Sequence, residues 1–475
     1  MVTTQAAATG FTNLIGSATV QSSIDALVDA LSAEAARITG PRPPSADLKA
    51  EYDDLLKRAG DIRGRAMWYP AIGSGLGNGA LVELADGRVV WDMITGIGVQ
   101  FFGHSHPELT RAAIAASLED TVKQGNLQSN WRAYEFCEAL LSEAARGSKL
   151  RHCFLSTSGA MANESAVKIC YQKTGGSRVI AFDDCFMGRS VTMSQLGDSA
   201  GNRQGVPLST LVDYMPFYSA TEAREFGQTR YIDMQVRQLE KYITRYPGQH
   251  ACMIFELVQG EGGFNTAPRD FFVALMDVCR AKSIPIWDDE IQSFGRTEAM
   301  FAYDMMNLGE YVDVLTVGKM TQACATLFTP DFNPKPGLLS GTFTGESQSF
   351  AVGAKILDML RTGNFYGANG SNARHHRLFR EQVDTLAKKH PAWFTKTPGV
   401  EGFTAGVGGM MRLSPFGGDK DKMMKACKAC FDAGVVLFYC GHGPYHLRML
   451  PPLGVMKESD WPRVFEAVEA GLARV

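Results

Sequence analysis

Asp313-Val314-Leu315-Thr316-Val317-Gly318-Lys319 reads as a short buried strand that breaks at Gly-Lys. Three β-branched residues and a leucine suit a strand covered on both faces. In open α/β sheets, ligands collect at the carboxyl ends of strands, so Lys319 is placed where chemistry is done. An amine in apolar surroundings is easier to deprotonate and can attack a carbonyl to form a Schiff base. A strand-end lysine alone is more often a solvated terminus, so its meaning depends on what else the fold brings to it.

Outward from this strand, the chain alternates. Helical patterns at 108–118, 130–146 and 159–173 are interleaved with apolar strands at 179–182, 252–257, 284–287 and 312–317. Such alternation predicts an α/β fold with a mostly parallel central sheet and helices on both faces. Before it, residues 1–20 are small and polar and are expected to be loosely ordered. A helix carrying Ile24, Leu27, Val28 and Leu31 then stops near Gly40-Pro41. A polar helix at 46–59 follows, and then a hairpin of strands 79–84 and 88–94 turning at Ala85-Asp86-Gly87. After it come helices 350–361, 373–389 and 419–433, with strand-like segments at 403–412, 435–439 and 446–450. The expected division is an N-terminal segment 1–94, a large domain 95–350 and a C-terminal part 351–475, with both termini contributing to one small α+β domain.

The composition is ordinary for a soluble globular protein: 475 residues, 20% charged, 45% hydrophobic, net charge −3. That balance leaves no electrostatic footprint for nucleic acid or an acidic membrane surface. No apolar run is long enough to span a bilayer, and the first thirty residues lack Lys and Arg, which points to a cytoplasmic protein. Ten cysteines follow no framework, as in a reducing compartment. Cys427 and Cys430 have C-x-x-C spacing inside a helical pattern, and His104 and His106 sit between Gly and Pro. Both sets read as structural, and no metal is expected.

Four further stretches carry chemistry. Ser156-Thr157-Ser158-Gly159-Ala160 opens a helix, where free N–H groups suit a phosphate. Asp288-Asp289-Glu290-Ile291-Gln292 puts carboxylates at a strand end, where buried charge is costly without a partner: a cationic pyridinium, or else water or a nearby Arg. Phe255 to Gly263 and Ala181 to Arg189 are strands that run into turns bearing Glu256, Glu261, Phe186 and Arg189.

Together with GHSHP (103–107), GTFTGE (341–346) and HLRMLPPLG (446–454), these landmarks resemble class III, or ω-amino-acid type, aminotransferases, from about residue 60 to the C-terminus. The resemblance implies a fold type I, pyridoxal 5'-phosphate-dependent transferase. It assigns Lys319 the Schiff base to the cofactor and the proton transfer, and Asp289 the pyridine nitrogen. Gln292 would contact the ring hydroxyl, Phe186 would stack on the ring, and Ser158, Gly159 and Ala160 would hold the phosphate. Thr342 would reach the phosphate of a neighbouring subunit, which implies a homodimer, or a tetramer built from two such dimers. Arg189 would grip the remote carboxylate of the donor and Arg448 the α-carboxylate of the acceptor. Glu261 would mask Arg448 when the donor has none. Ile97, where ornithine-specific relatives have tyrosine, leaves an apolar wall. The implied reaction moves the terminal amine of a 4-aminobutyrate-like ω-amino acid to 2-oxoglutarate by a ping-pong mechanism. Lysine ε-, β-amino-acid or polyamine transfer, with 2-oxoglutarate or pyruvate, is the near alternative. A racemase, an aminomutase or an inactive binding subunit is the distant one. The chain departs from the family pattern at Met161, Met187, Glu346 and the stretch after Lys319, mostly around the substrate.

Overall fold

The computed structural model describes residues 9–120 and 123–475. Seven strands build the central sheet: β1 (His152–Ser156), β2 (Arg178–Phe182), β3 (Leu211–Met215), β4 (His250–Phe255), β5 (Ile286–Glu290), β6 (Val314–Val317) and β7 (Cys324–Phe328), in the order β1-β7-β6-β5-β4-β2-β3. All neighbours are parallel except β7, which runs antiparallel to both β1 and β6. The expected α/β fold with a mostly parallel sheet is therefore present.

Strand alternation sends side chains to two cores. Val179, Ala181, Cys252, Ile254, Trp287 and Val314 face helix Gly159–Thr174 through its Ala166, Val167, Ile169 and Cys170. Ile180, Phe182, Met253, Phe255, Ile286, Leu315 and Val317 face the larger core on the other side. Each such buried side chain contributes roughly 1.5–3 kcal/mol, which explains why these strands were readable as apolar runs.

Both ends of the chain meet in smaller sheets. Strands Gly73–Asn78, Leu81–Leu84 and Val89–Asp92 join Val435–Val436. Strands Thr404–Val407, Met410–Leu413, His446–Met449 and Phe438–Cys440 form the other four-stranded sheet. The junction expected at 350/351 falls inside helix Ser347–Thr362, which packs on helices Pro107–Ala116 and Trp131–Gly147. We propose that the division of the large and C-terminal parts follows that helix.

Several expectations are corrected. Within 1–20, Gly10–Ile15 is helical and Ala18–Ala35 begins a longer helix, each capped by a hydroxyl (Thr9, Ser17). The segment 403–412 is a hairpin rather than one strand, turning at Gly408-Gly409 with Gly408 at φ +55. Strand β5 extends through Glu290, so its three carboxylates lie within the sheet. Among the described residues no helix is long and apolar enough to cross a membrane, and no cluster of His, Cys, Asp or Glu could hold a metal.

Candidate active site

Strand β6 ends at Val317, Gly318 follows it, and Lys319 opens a 3-10 turn in the left-handed region, at φ +51. Burial holds its ammonium pKa below the usual lysine value, although Glu261, Asp289 and Glu256 oppose that shift and Arg448 adds to it. The four charged groups around the amine come from the turn after β4 (Glu256, Glu261), from β5 (Asp289) and from strand His446–Met449 (Arg448).

Asp289 lies in register with Thr316 on β6 and points toward helix Gly159–Thr174. Asn163 donates to its Oδ2 at 2.7 Å and Ile291 N–H to its Oδ1 at 2.9 Å. Burial raises its pKa to about 6, with those two donors and Lys319 pulling the other way. A buried carboxylate served only by neutral hydrogen-bond donors has room in its electrostatics for a cation, and a protonated pyridine fits that requirement. Asp288 and Glu290, on the opposite face of β5, do not take part. Glu290 instead accepts from Ala302 and Tyr303 N–H at 2.8 and 3.1 Å.

The phosphate end also fits. Ser158 caps helix Gly159–Thr174, its hydroxyl accepting from Met161 N–H at 3.3 Å. A Cβ on Gly159 would lie 3.0 Å from Ile291 Cγ2, and one on Gly188 would lie 2.8 Å from Ala160 Cβ. Small residues therefore let this helix start sit close beside β5, with its positive dipole end near Asp289. Phe186 is half-buried, and its N–H donates to Glu256 Oε1 at 2.9 Å.

Arg448 is fully buried, and its Nη2 donates to both oxygens of Glu261 at 2.8 and 2.9 Å. Its Nη1 reaches Gln292 Oε1 at 3.4 Å. Burial alone would raise the Glu261 pKa, but the Arg448 charge and hydrogen bonds hold it below the usual carboxylate value. Arg189 is exposed, with its guanidinium 5.7 Å from the Phe186 ring centre. Ile97 is partly buried in a turn that lies against the Lys319–Thr321 turn. Thr342 is exposed and is not gathered into this cluster within the single chain.

Two residues of the site were given no role from sequence. Asn163 bridges Met187 O and Asp289, each at 2.7 Å, and a lone polar residue amid the Ala162, Ala166 and Val167 face was the available signal. Glu256 accepts from Phe186 and Gly260 N–H at 2.9 and 3.0 Å, and burial followed by the Asp289 charge lifts its pKa to about 8. Its signal was a carboxylate directly after the apolar strand. His104 bonds Asp92 at 2.9 Å, and the Cys427 and Cys430 thiols are buried and free.

The aminotransferase class-III family model matches residues 72–469. The chain belongs to this family and is a pyridoxal 5'-phosphate-dependent transaminase. It is 26% identical over 411 residues to a diaminobutyrate–2-oxoglutarate transaminase of Streptomyces anulatus, covering 84% of this chain and 92% of that relative. In structure it is similar to a Bacillus anthracis aminotransferase (TM-score 0.78, 21% identity, 90% and 99% of the two chains). It is also similar to the lysine aminotransferase of M. tuberculosis (TM-score 0.76, 20% identity, 88% and 99%).

Proposed function

We propose that the chain transfers the terminal amino group of 4-aminobutyrate or a close relative to 2-oxoglutarate in two half-reactions at one site. The observation that carries this reading is the buried Arg448–Glu261 pair beside Lys319. It supplies a cation for an α-carboxylate in one half-reaction and a neutralised wall in the other. Relatives named diaminobutyrate–2-oxoglutarate transaminases support the same substrate class.

Bound pyridoxal phosphate supplies an electrophilic carbonyl and an electron sink. In our proposal the N–H groups opening helix Gly159–Thr174, with Ser158 and Ala160, hold its phosphate. Asp289 stays ionised against the ring nitrogen, Phe186 covers the ring, and Gln292 faces its hydroxyl. Lys319 would hold the cofactor in the resting enzyme, and its amine, freed when substrate binds, would move the proton between the amine-bearing carbon of the substrate and the cofactor carbon C4′. Arg189 holds the donor's remote carboxylate, and Ile97 forms an apolar wall. Thr342, exposed in one chain, serves the phosphate of a neighbouring subunit in a homodimer.

Single-turnover absorbance with purified holoenzyme tests this reading. 4-Aminobutyrate or 2,4-diaminobutyrate bleaches the yellow cofactor, and 2-oxoglutarate restores it. Recovery with pyruvate but not 2-oxoglutarate would remove the role given to Arg448, and bleaching by lysine alone would reassign the donor.

A further inference from the structure

Thr95-Gly96-Ile97-Gly98 forms one turn of left-handed helix. φ is +50 at Thr95, +63 at Gly96 and Ile97, and +87 at Gly98. The turn is closed by Gly98 N–H to Ile94 O at 2.9 Å and Val99 N–H to Thr95 O at 2.8 Å. Glycine adopts this region freely, but Thr95 and Ile97 are β-branched, and for them it is an outlier. Such backbone persists only where the surroundings over-determine it, and it concentrates at ligand clamps.

The surroundings are specific. Asp92 Oδ1 accepts from Ile94 and Thr95 N–H at 3.1 and 2.7 Å, and its Oδ2 meets His104 Nε2 at 2.9 Å. The Thr95 hydroxyl donates to Leu450 O at 2.7 Å and accepts from Arg296 Nη2 at 3.2 Å. Arg296 Nη1 reaches Pro451 O at 3.0 Å, and a Cβ on Gly98 would lie 3.2 Å from Arg296 Nε. Arg296 is fully buried, its Nε has no hydrogen-bond partner, and no carboxylate lies within ion-pair distance among the described residues. Burying a guanidinium in that way is a poor device for stability alone. Its position explains it better: it ties the left-handed turn to Leu450 and Pro451, just past the strand His446–Met449 that carries Arg448.

We infer that Arg296 is a positioning residue for donor selection, clamping the Thr95–Gly98 turn, with Asp92 and His104, so that Ile97 stands as a fixed wall against the Lys319 turn. The inference rests on the reading above that Ile97 lines the donor site. With the clamp intact, the width of the donor pocket is set by backbone that cannot relax. With it broken, the turn relaxes toward ordinary backbone and Ile97 leaves its place.

The test uses holoenzyme carrying Arg296→Gln, Arg296→Lys or Ile97→Ala, and measures kcat/KM for 4-aminobutyrate against the longer 5-aminopentanoate. Arg296→Gln should shift that ratio at least tenfold toward the longer donor, chiefly through KM. Arg296→Lys, which keeps the charge, should recover part of the shift. If Arg296→Gln does not fold, Thr95→Val removes the bridging hydroxyl at nearly constant shape and should shift the ratio in the same direction. Equal losses for both donors, or a lower melting temperature with an unchanged ratio, would mean Arg296 is only structural. If Ile97→Ala shifts the ratio and Arg296→Gln does not, the clamp fails while the site reading stands. If Ile97→Ala itself leaves the ratio unchanged, the site reading fails and the clamp falls with it.

Discussion

Replacing Glu261 with alanine removes the only carboxylate bonded to Arg448 among the described residues, and that guanidinium has no exposed surface. Breaking a buried pair from one side costs about 3–5 kcal/mol, because the remaining charge is left without compensation. The same change frees Arg448 for an incoming carboxylate. In the intact site a dicarboxylate must displace Glu261, forfeiting a charge-assisted contact of about 1.5–3 kcal/mol. Each 1.4 kcal/mol is a factor of ten, so the variant should bind 2-oxoglutarate roughly ten- to hundredfold more tightly in the second half-reaction. A donor without an α-carboxylate should bind more weakly, since it now faces an unmasked cation. The assay is a pair of single-turnover titrations, one per half-reaction, with a denaturation midpoint with and without 2-oxoglutarate. The midpoint should fall in the free variant and recover with the acid. Unchanged affinities in both half-reactions, or weaker binding of 2-oxoglutarate, would refute the masking role of Glu261.

Asn163→Leu takes away the 2.7 Å donor to Asp289, so cofactor affinity should drop roughly ten- to hundredfold in an equilibrium titration. Because burial holds Asp289 near pKa 6 in the free protein and a ring cation requires its anion, cofactor affinity should rise with pH through about 6. Burial also raises Glu256 to about 8 and Glu290 to about 7, so the folded apoprotein binds protons more tightly than the unfolded chain. The stability from these groups is full below their unfolded values, near pH 4, and is lost as pH rises toward 8, lowering the denaturant midpoint of the apoprotein from pH 5.5 to pH 8. Asp288 is fully buried, and burial and the neighbouring Glu290 carboxylate hold its pKa well above the usual value, so Asp288→Asn, which keeps its shape, should leave cofactor affinity unchanged in the same titration.

Much of the fold was readable because β4 and β6 are buried on both faces and appear as mostly apolar runs. What was hidden has physical causes. Strand Gly73–Asn78 is written in glycines, which carry no strand signal, and its partner supplies the pairing. The stretch after Lys319 stood out only as a departure from the family pattern, and strand β7 within it was not foreseen. It forms because Lys319 and Gln322 both take left-handed backbone and reverse the chain, so that Ala325 and Leu327 enter the sheet. The three carboxylates of β5 looked like a strand end, yet pairing with β6 and β4 carries them inside, and alternation alone selects Asp289 for the site. The cluster of Lys319, Asp289, Glu261 and Arg448 was legible through motif order. Asn163, Glu256 and the left-handed turn that presents Ile97 were not, because their roles arise from contacts between distant segments.

The central claim, that this transaminase carries its cofactor on Lys319, is tested by borohydride trapping of the resting holoenzyme followed by peptide mass mapping. We expect one reduced cofactor adduct per chain, on the peptide containing Lys319, and no adduct or turnover in Lys319→Ala. An adduct on another lysine, or full turnover by Lys319→Ala, would contradict it.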